Sequence, residues 1–154
     1  MEYKSGAQCL VVRDDKILMV KHKRIDREYY TLPGGGIEKG ETREKAAIRE
    51  LAEECQVSGK IIKKLSEYLF PFGDNVIIYT FHVDIENQTP MLGKDPELPD
   101  ENQILAELKW LSLDEISERD RAFLWASGLF GITQFADELY LWSDDISYPN
   151  KRKL

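Results

Sequence analysis

Residues 34–57 read Gly34-Gly35-Gly36-Ile37-Glu38-Lys39-Gly40-Glu41-Thr42-Arg43-Glu44-Lys45-Ala46-Ala47-Ile48-Arg49-Glu50-Leu51-Ala52-Glu53-Glu54-Cys55-Gln56-Val57, directly after Pro33. A proline followed by three glycines ends any strand and makes a loop whose backbone can approach a ligand closely. From about Thr42 to Cys55 the residues are strong helix formers without Gly or Pro, and Ala47, Ile48, Leu51, Ala52 and Cys55 recur at helical spacing. The stretch therefore predicts a glycine loop feeding one amphipathic helix. Each helical residue advances about 100°, which puts Glu53 and Glu54 within roughly 60° of Glu50, one on each side. Ala46 falls in the same arc, where its small side chain leaves room in front of the glutamates. The apolar stripe lies to one side, so the helix can dock on a sheet and turn its acidic ridge to a cleft.

Like charges one turn apart repel by roughly 0.2–0.5 kcal/mol per pair, a cost that a bound cation reverses. Hard carboxylate oxygens suit Mg²⁺ or Mn²⁺ better than Zn²⁺, and Mg²⁺ is usually shared between one or two carboxylates, waters and substrate phosphates.

Outward from this stretch the chain is strand-rich. Ala7 to Val12 and Lys16 to His22 read as an antiparallel hairpin with Arg13-Asp14-Asp15 at its tip. Lys60 to Phe70, Asn75 to Asp84 and Leu105 to Leu111 are further strands, giving five or six in one sheet. Glu86 to Asn102 is too long and polar for a tight turn and reads as a functional or mobile loop. Leu113-Asp114-Glu115-Ile116 reads as a helix start, beyond which Gly128 and Gly131 interrupt an aromatic segment. No repeat or linker divides the chain, so residues 1–154 read as one domain.

Composition agrees with that reading. A chain of 154 residues with 42% hydrophobic and 32% charged side chains is globular, and at this size one core suffices without disulfides. Cys9 and Cys55 read as reduced core thiols, and the absence of a signal-like start or a membrane-length apolar run points to a cytosolic protein. The net charge of −7 repels a nucleic-acid polymer, and an acidic protein acting on an anionic substrate needs divalent cations between the two. Lys21 to Arg27 and Lys151-Arg152-Lys153 read as solvated segments. Phe123, Trp125, Phe130, Phe135, Tyr140 and Trp142 carry more apolar surface than one short helix hides, leaving part for a homodimer contact or a pocket wall.

Residues 35–57 resemble the Nudix box: Gly, five residues, Glu, seven residues, Arg-Glu, an aliphatic, one residue, Glu-Glu, one residue, Gly and an aliphatic. Gly35, Glu41, Arg49, Glu50, Leu51, Glu53, Glu54 and Val57 fall at matching positions, and Gln56 replaces the closing glycine. A non-glycine residue there either accepts a left-handed conformation, at roughly 1 kcal/mol, or the helix runs on toward Gly59. The resemblance implies an α/β/α sandwich with a mixed central β-sheet and a Mg²⁺-dependent hydrolase, Mn²⁺ also serving, that cleaves a nucleoside diphosphate linked to another moiety. Nucleotide sugars, ADP-ribose and nucleoside triphosphates stay open as substrates.

By the same resemblance Glu50, Glu53, Glu54 and the Gly35 carbonyl bind the cations, while Arg49 and Glu41 pair to hold the loop against the helix. A general base comes from Glu53 or from a loop acid, Glu101 first, with Glu97 and Glu107 behind it. Tyr30 is an aromatic candidate for the base, as are Tyr29, Tyr68, Phe70, Phe72 and Tyr79. Arg24, Arg27 and Arg43 are candidates for the phosphates, and the helical arithmetic puts Arg43 on the same side as the glutamates. Pro71 stands near a proline found in ADP-ribose-cleaving relatives. A Nudix-like ligand-binding or regulatory module and a diphosphate isomerase are the alternatives that keep the same fold.

Overall fold

A computed structural model describes residues 4–70, 75–96, 98–99 and 102–141. Strands β1 (Lys4–Leu10), β2 (Val12–Arg13), β3 (Lys16–Lys23), β4 (Glu28–Thr31) and β5 (Gly34–Gly36) precede helix α1 (Arg43–Cys55). Then follow β6 (Lys60–Phe70), β7 (Val76–Asp84), β8 (Leu105–Leu111), α2 (Glu118–Ala126) and α3 (Thr133–Leu141). One sheet runs β5-β1-β7-β6, with β1 parallel to β7 and the other pairs antiparallel. In the other, β3 pairs antiparallel with β2, β4 and β8. The fold is thus mixed α/β with a mixed sheet. Its eight described strands divide between two sheets, where the sequence predicted five or six in one.

The division begins at the first hairpin. Asp14 and Asp15 both take positive φ, 52° and 61°, which matches the tight turn that two antiparallel strands need. Only Val12 and Arg13 pair across it, however, because β1 leaves to run parallel to β7 from Lys4↔Val76 to Leu10↔His82. The predicted hairpin from Ala7 is shortened accordingly.

Alternation along β1 and β3 builds a core on each face. Ala7, Cys9, Val11, Leu18 and Val20 pack with Ala47, Leu51 and Cys55 of α1. Leu10, Ile17 and Met19 pack on the opposite side with Leu124, Leu129 and Phe135. Fully burying a side chain such as Leu51 contributes about 1.5–3 kcal/mol. The α1 stripe differs from the prediction at two positions: Ala52 is exposed, and Ala46 sits in the core rather than in front of the glutamates.

Leu113–Glu115 forms a 3₁₀ turn rather than starting a long helix, since Ile116 returns to an extended backbone and Ser117 caps α2 separately. Gly128, at φ 97°, breaks the following segment, and a second 3₁₀ turn at Leu129–Gly131 leads to α3. No helix among the described residues is long and apolar enough to cross a membrane.

Candidate active site

Helix α1 begins at Thr42, whose hydroxyl accepts the Lys45 amide proton (3.1 Å). It ends at Gln56, in the left-handed region at φ 54°, with its N–H on the Ala52 carbonyl. Of the two endings open from sequence, the chain takes the strained residue. Between these caps Glu50, Glu53 and Glu54 face one cleft of about 490 Å³, walled by Gly34–Ile37, His22, Arg24 and Asp95.

Arg49 organises the cleft's rim. Its Nε and Nη2 donate to the two oxygens of Glu41 (2.8 and 3.1 Å), Nη2 also donates to the Gly36 carbonyl (2.9 Å), and Nη1 reaches Glu50 (2.9 Å) and Glu53 (3.3 Å). Glu41 in turn accepts the Glu38 amide proton, which closes the loop onto the helix. A planar guanidinium makes this fork and an ammonium does not. Arg49 holds the Glu41 carboxyl below its usual range, and its own proton is held more firmly in return.

The glycines of β5 are required by proximity. A Cβ on Gly35 would stand 2.5 Å from the Glu50 carboxyl carbon, and one on Gly34 would stand 2.5 Å from the Ala7 carbonyl oxygen. Gly34 donates its N–H to Glu54 Oε1 (2.7 Å). Arg49 does not reach Glu54, which is only 7% exposed and has that amide as its partner. Burial pushes the Glu54 carboxyl up to about 8, against the Gly34 hydrogen bond and with help from Glu50, Asp95 and Glu53. Burial also raises Glu50, opposed by Arg49.

A buried carboxylate with no basic side chain beside it among the described residues, flanked by two more carboxylates, is a donor set that fits a hard divalent ion. Among the described residues no three acidic, His or Cys side chains already converge as a coordination sphere. Arg49 occupies Glu50 and Glu53, so an arriving cation competes with the guanidinium for them.

Asp95 was not singled out from sequence. The loop after β7 brings it in by docking on the last turn of α1: Met91 and Gly93 donate to the Cys55 and Glu54 carbonyls (2.9 and 2.7 Å), and Gln56 Nε2 donates to the Leu92 carbonyl (2.8 Å). Gln103 clamps the loop's far side through both Asp95 backbone groups. Free carbonyls at a helix end are the only local signal for such docking. Glu97, Glu101, Pro71 and Phe72 lie outside the described residues. Glu107 stands on β8 beside Lys21 and Lys109, away from the cleft.

The cleft continues past His22, Arg24 and Gly34–Gly36 into a groove along β1, then into an apolar pocket of about 430 Å³. Tyr30, Tyr68, Phe70 and Phe123 line that pocket. Tyr29 borders both spaces, stacked on His22 with rings 5.1 Å apart and donated to by Arg24 Nε (3.0 Å). Burial and Arg24 lower the His22 pKa. Arg43 is not brought to the cleft: its guanidinium lies 4.1 Å from the ring centre of Tyr79, which belongs to the core. At the first turn of α1 it points back over the sheet.

Fold and cleft define an α/β protein whose glycine strand and helix gather carboxylates beside an apolar pocket. A family model described as NUDIX domain matches residues 2–129, and the chain belongs to that family. The ADP-ribose pyrophosphatase of Methanocaldococcus jannaschii is 36% identical over 90 residues, 56% of this chain and 53% of that protein. The NAD-capped RNA hydrolase NudC of Edwardsiella ictaluri is 35% identical over 79 residues, 49% of this chain and 31% of that protein. The chain thus spans from about a third to half of these relatives' lengths. Among solved structures, the E. coli ORF135 protein superposes with a TM-score of 0.67 at 21% identity, covering 89% of this chain and 96% of that one. A UDP-X diphosphatase does so with a TM-score of 0.62 at 20% identity, covering 81% and 62%.

Proposed function

We propose that this protein is a Mg²⁺-dependent pyrophosphohydrolase, Mn²⁺ also serving, that cleaves a nucleoside diphosphate linked to another moiety. The observation that carries the reading is Glu54, buried and with no ion pair to a basic side chain among the described residues, in one cleft with Glu50, Glu53 and the Gly34–Gly36 strand. Glu50, Glu53, Glu54 and the Gly35 carbonyl would hold the cation. A divalent ion there neutralises charge on phosphate oxygens and lowers the pKa of bound water.

The chain's own residues do the rest. Arg49 and Glu41 fix the loop so that Gly35 stays against Glu50. Arg24, on the wall shared by the cleft and the groove, is placed to meet a phosphate. Glu53 or a loop acid takes the proton of the attacking water, and Glu107, on β8 away from the cleft, is not among those acids. Asp95 joins Glu101 in that role because its position in the cleft is defined. Tyr30 and the rings near it receive the nucleobase, as aromatic faces suit a stacked heterocycle. The relative named for ADP-ribose cleavage supports the substrate class.

The test is turnover with Mg²⁺ across ADP-ribose, nucleotide sugars, nucleoside triphosphates and prenyl diphosphates. Hydrolysis of a nucleoside diphosphate derivative is expected, with Glu54→Gln lowering kcat by roughly 100-fold or more, the scale of losing a well-placed catalytic group. Full activity in Glu54→Gln, or no activity on any nucleotide, would remove the proposal.

A further inference from the structure

We propose that Gln8 selects the nucleobase, accepting a hydrogen bond from the exocyclic amino group of adenine or cytosine. The inference rests on the nucleotide reading of the cleft and adds to it a specificity-determining residue. Gln8 is a half-buried side chain of β1 that borders both the groove and the apolar pocket. In register it stands between Gly34 on β5 and Thr80 on β7, one strand away from the glycine that donates to Glu54.

Its amide is locked in one orientation. Gln8 Nε2 lies 2.9 Å from Thr80 Oγ1 and 3.0 Å from Ser127 Oγ. Ser127 donates its single hydroxyl proton to the Phe123 carbonyl (2.8 Å) and can therefore only accept from Gln8. The atom of Gln8 that faces Ser127 must be the NH₂ group, and both its protons are used. Oε1 then takes no partner among the described residues and is left as a fixed acceptor on a side chain that borders both groove and pocket. An amino group placed there is bound. A keto oxygen placed there sets two acceptors against each other, and an unmade hydrogen bond in a desolvated site costs more than a made one gains.

Binding of matched nucleoside monophosphates, AMP against IMP and CMP against UMP, tests this by calorimetry with Mg²⁺ present, independently of turnover because a monophosphate has no phosphoanhydride bond to cleave. Wild type is expected to favour the amino member of each pair by about tenfold or more. Gln8→Met, which removes the acceptor and with it the clash against a keto oxygen, should bring the ratio near one by weakening the amino member and strengthening the keto member. Ser127→Ala frees the amide to turn over against Thr80, so it should raise affinity for IMP and UMP while sparing AMP and CMP. A merely structural role for either residue gives no such gain. Equal wild-type affinities, equal loss of both members in Gln8→Met, or no binding of any monophosphate would overturn the proposal. Discrimination that depends on Gln8 in a protein that hydrolyses no nucleotide would instead overturn the hydrolase reading alone.

Discussion

A carboxylate taken out of water resists ionisation, and Glu54 carries that conflict for the whole cleft. Its folded pKa of about 8 lies above the ordinary 4.5, so the folded chain binds this proton more tightly than the unfolded one. By linkage the resulting stability is present below the ordinary value and lost as pH rises through about 8. In EDTA, Glu54→Gln should match wild type in Tm near pH 5 and exceed it at pH 8.5. Mg²⁺ should erase that advantage by stabilising wild type alone. A Tm difference that does not move with pH would disprove the assignment. At Gln56 two local effects oppose each other. Glycine would remove about 1 kcal/mol of left-handed strain, but it would lose the hydrogen bond to Leu92 and add freedom to the unfolded chain. Urea titration should therefore find Gln56→Gly within about 1 kcal/mol of wild type and Gln56→Ala, which keeps the strain and loses the bond, less stable than both.

Elements reach the site through contacts that sequence spacing exposes unevenly. Helix pitch puts Glu50, Glu53 and Glu54 on one face, and the eight-residue interval from Glu41 to Arg49 lets their long side chains meet, so that half of the cleft is legible in the sequence. The same arithmetic misplaced Ala46 and Arg43, because which flank of an amphipathic helix meets the sheet depends on distant strands. Asp95 was invisible for a similar reason: a polar loop carries no period, and its docking depends on carbonyls of another element. Gly93 shows how close that docking is, since a Cβ there would stand 1.8 Å from the Glu53 carbonyl oxygen. Gly93→Ala should therefore lift the loop from α1 and carry Asp95 out of the cleft. A fall in kcat of about tenfold or more is expected while Glu41 and Arg49 stay paired, with faster amide exchange confined to residues near Met91–Asp95. Unchanged exchange there would show that the loop tolerates the methyl group.

At the scale of the whole molecule, local pattern predicted most strands but not their partners. The parallel pairing of β1 with β7 joins residues more than 70 positions apart, and a register between them leaves no mark in either segment alone. The aromatic tail posed the same problem, since composition told how much apolar surface it carries but not where each ring goes. The fold sorts the rings: Phe135 is fully buried against Leu10, Met19 and Leu129, Phe123 lines the apolar pocket, and Phe130 is half exposed beside Trp125. Stability should follow this sorting rather than residue type. Phe135→Ala opens a cavity in a core that β3 shares with the α1 side, and should cost about 3–5 kcal/mol, a large part of the 5–15 kcal/mol typical of a domain. Phe130→Ala should fall within about 1 kcal/mol of wild type, since half of that ring already meets water. Chemical denaturation of the two variants decides the matter: similar midpoints would mean that the α2–α3 layer is not part of the cooperative core, and that the pocket wall formed by Phe123 has no rigid layer behind it.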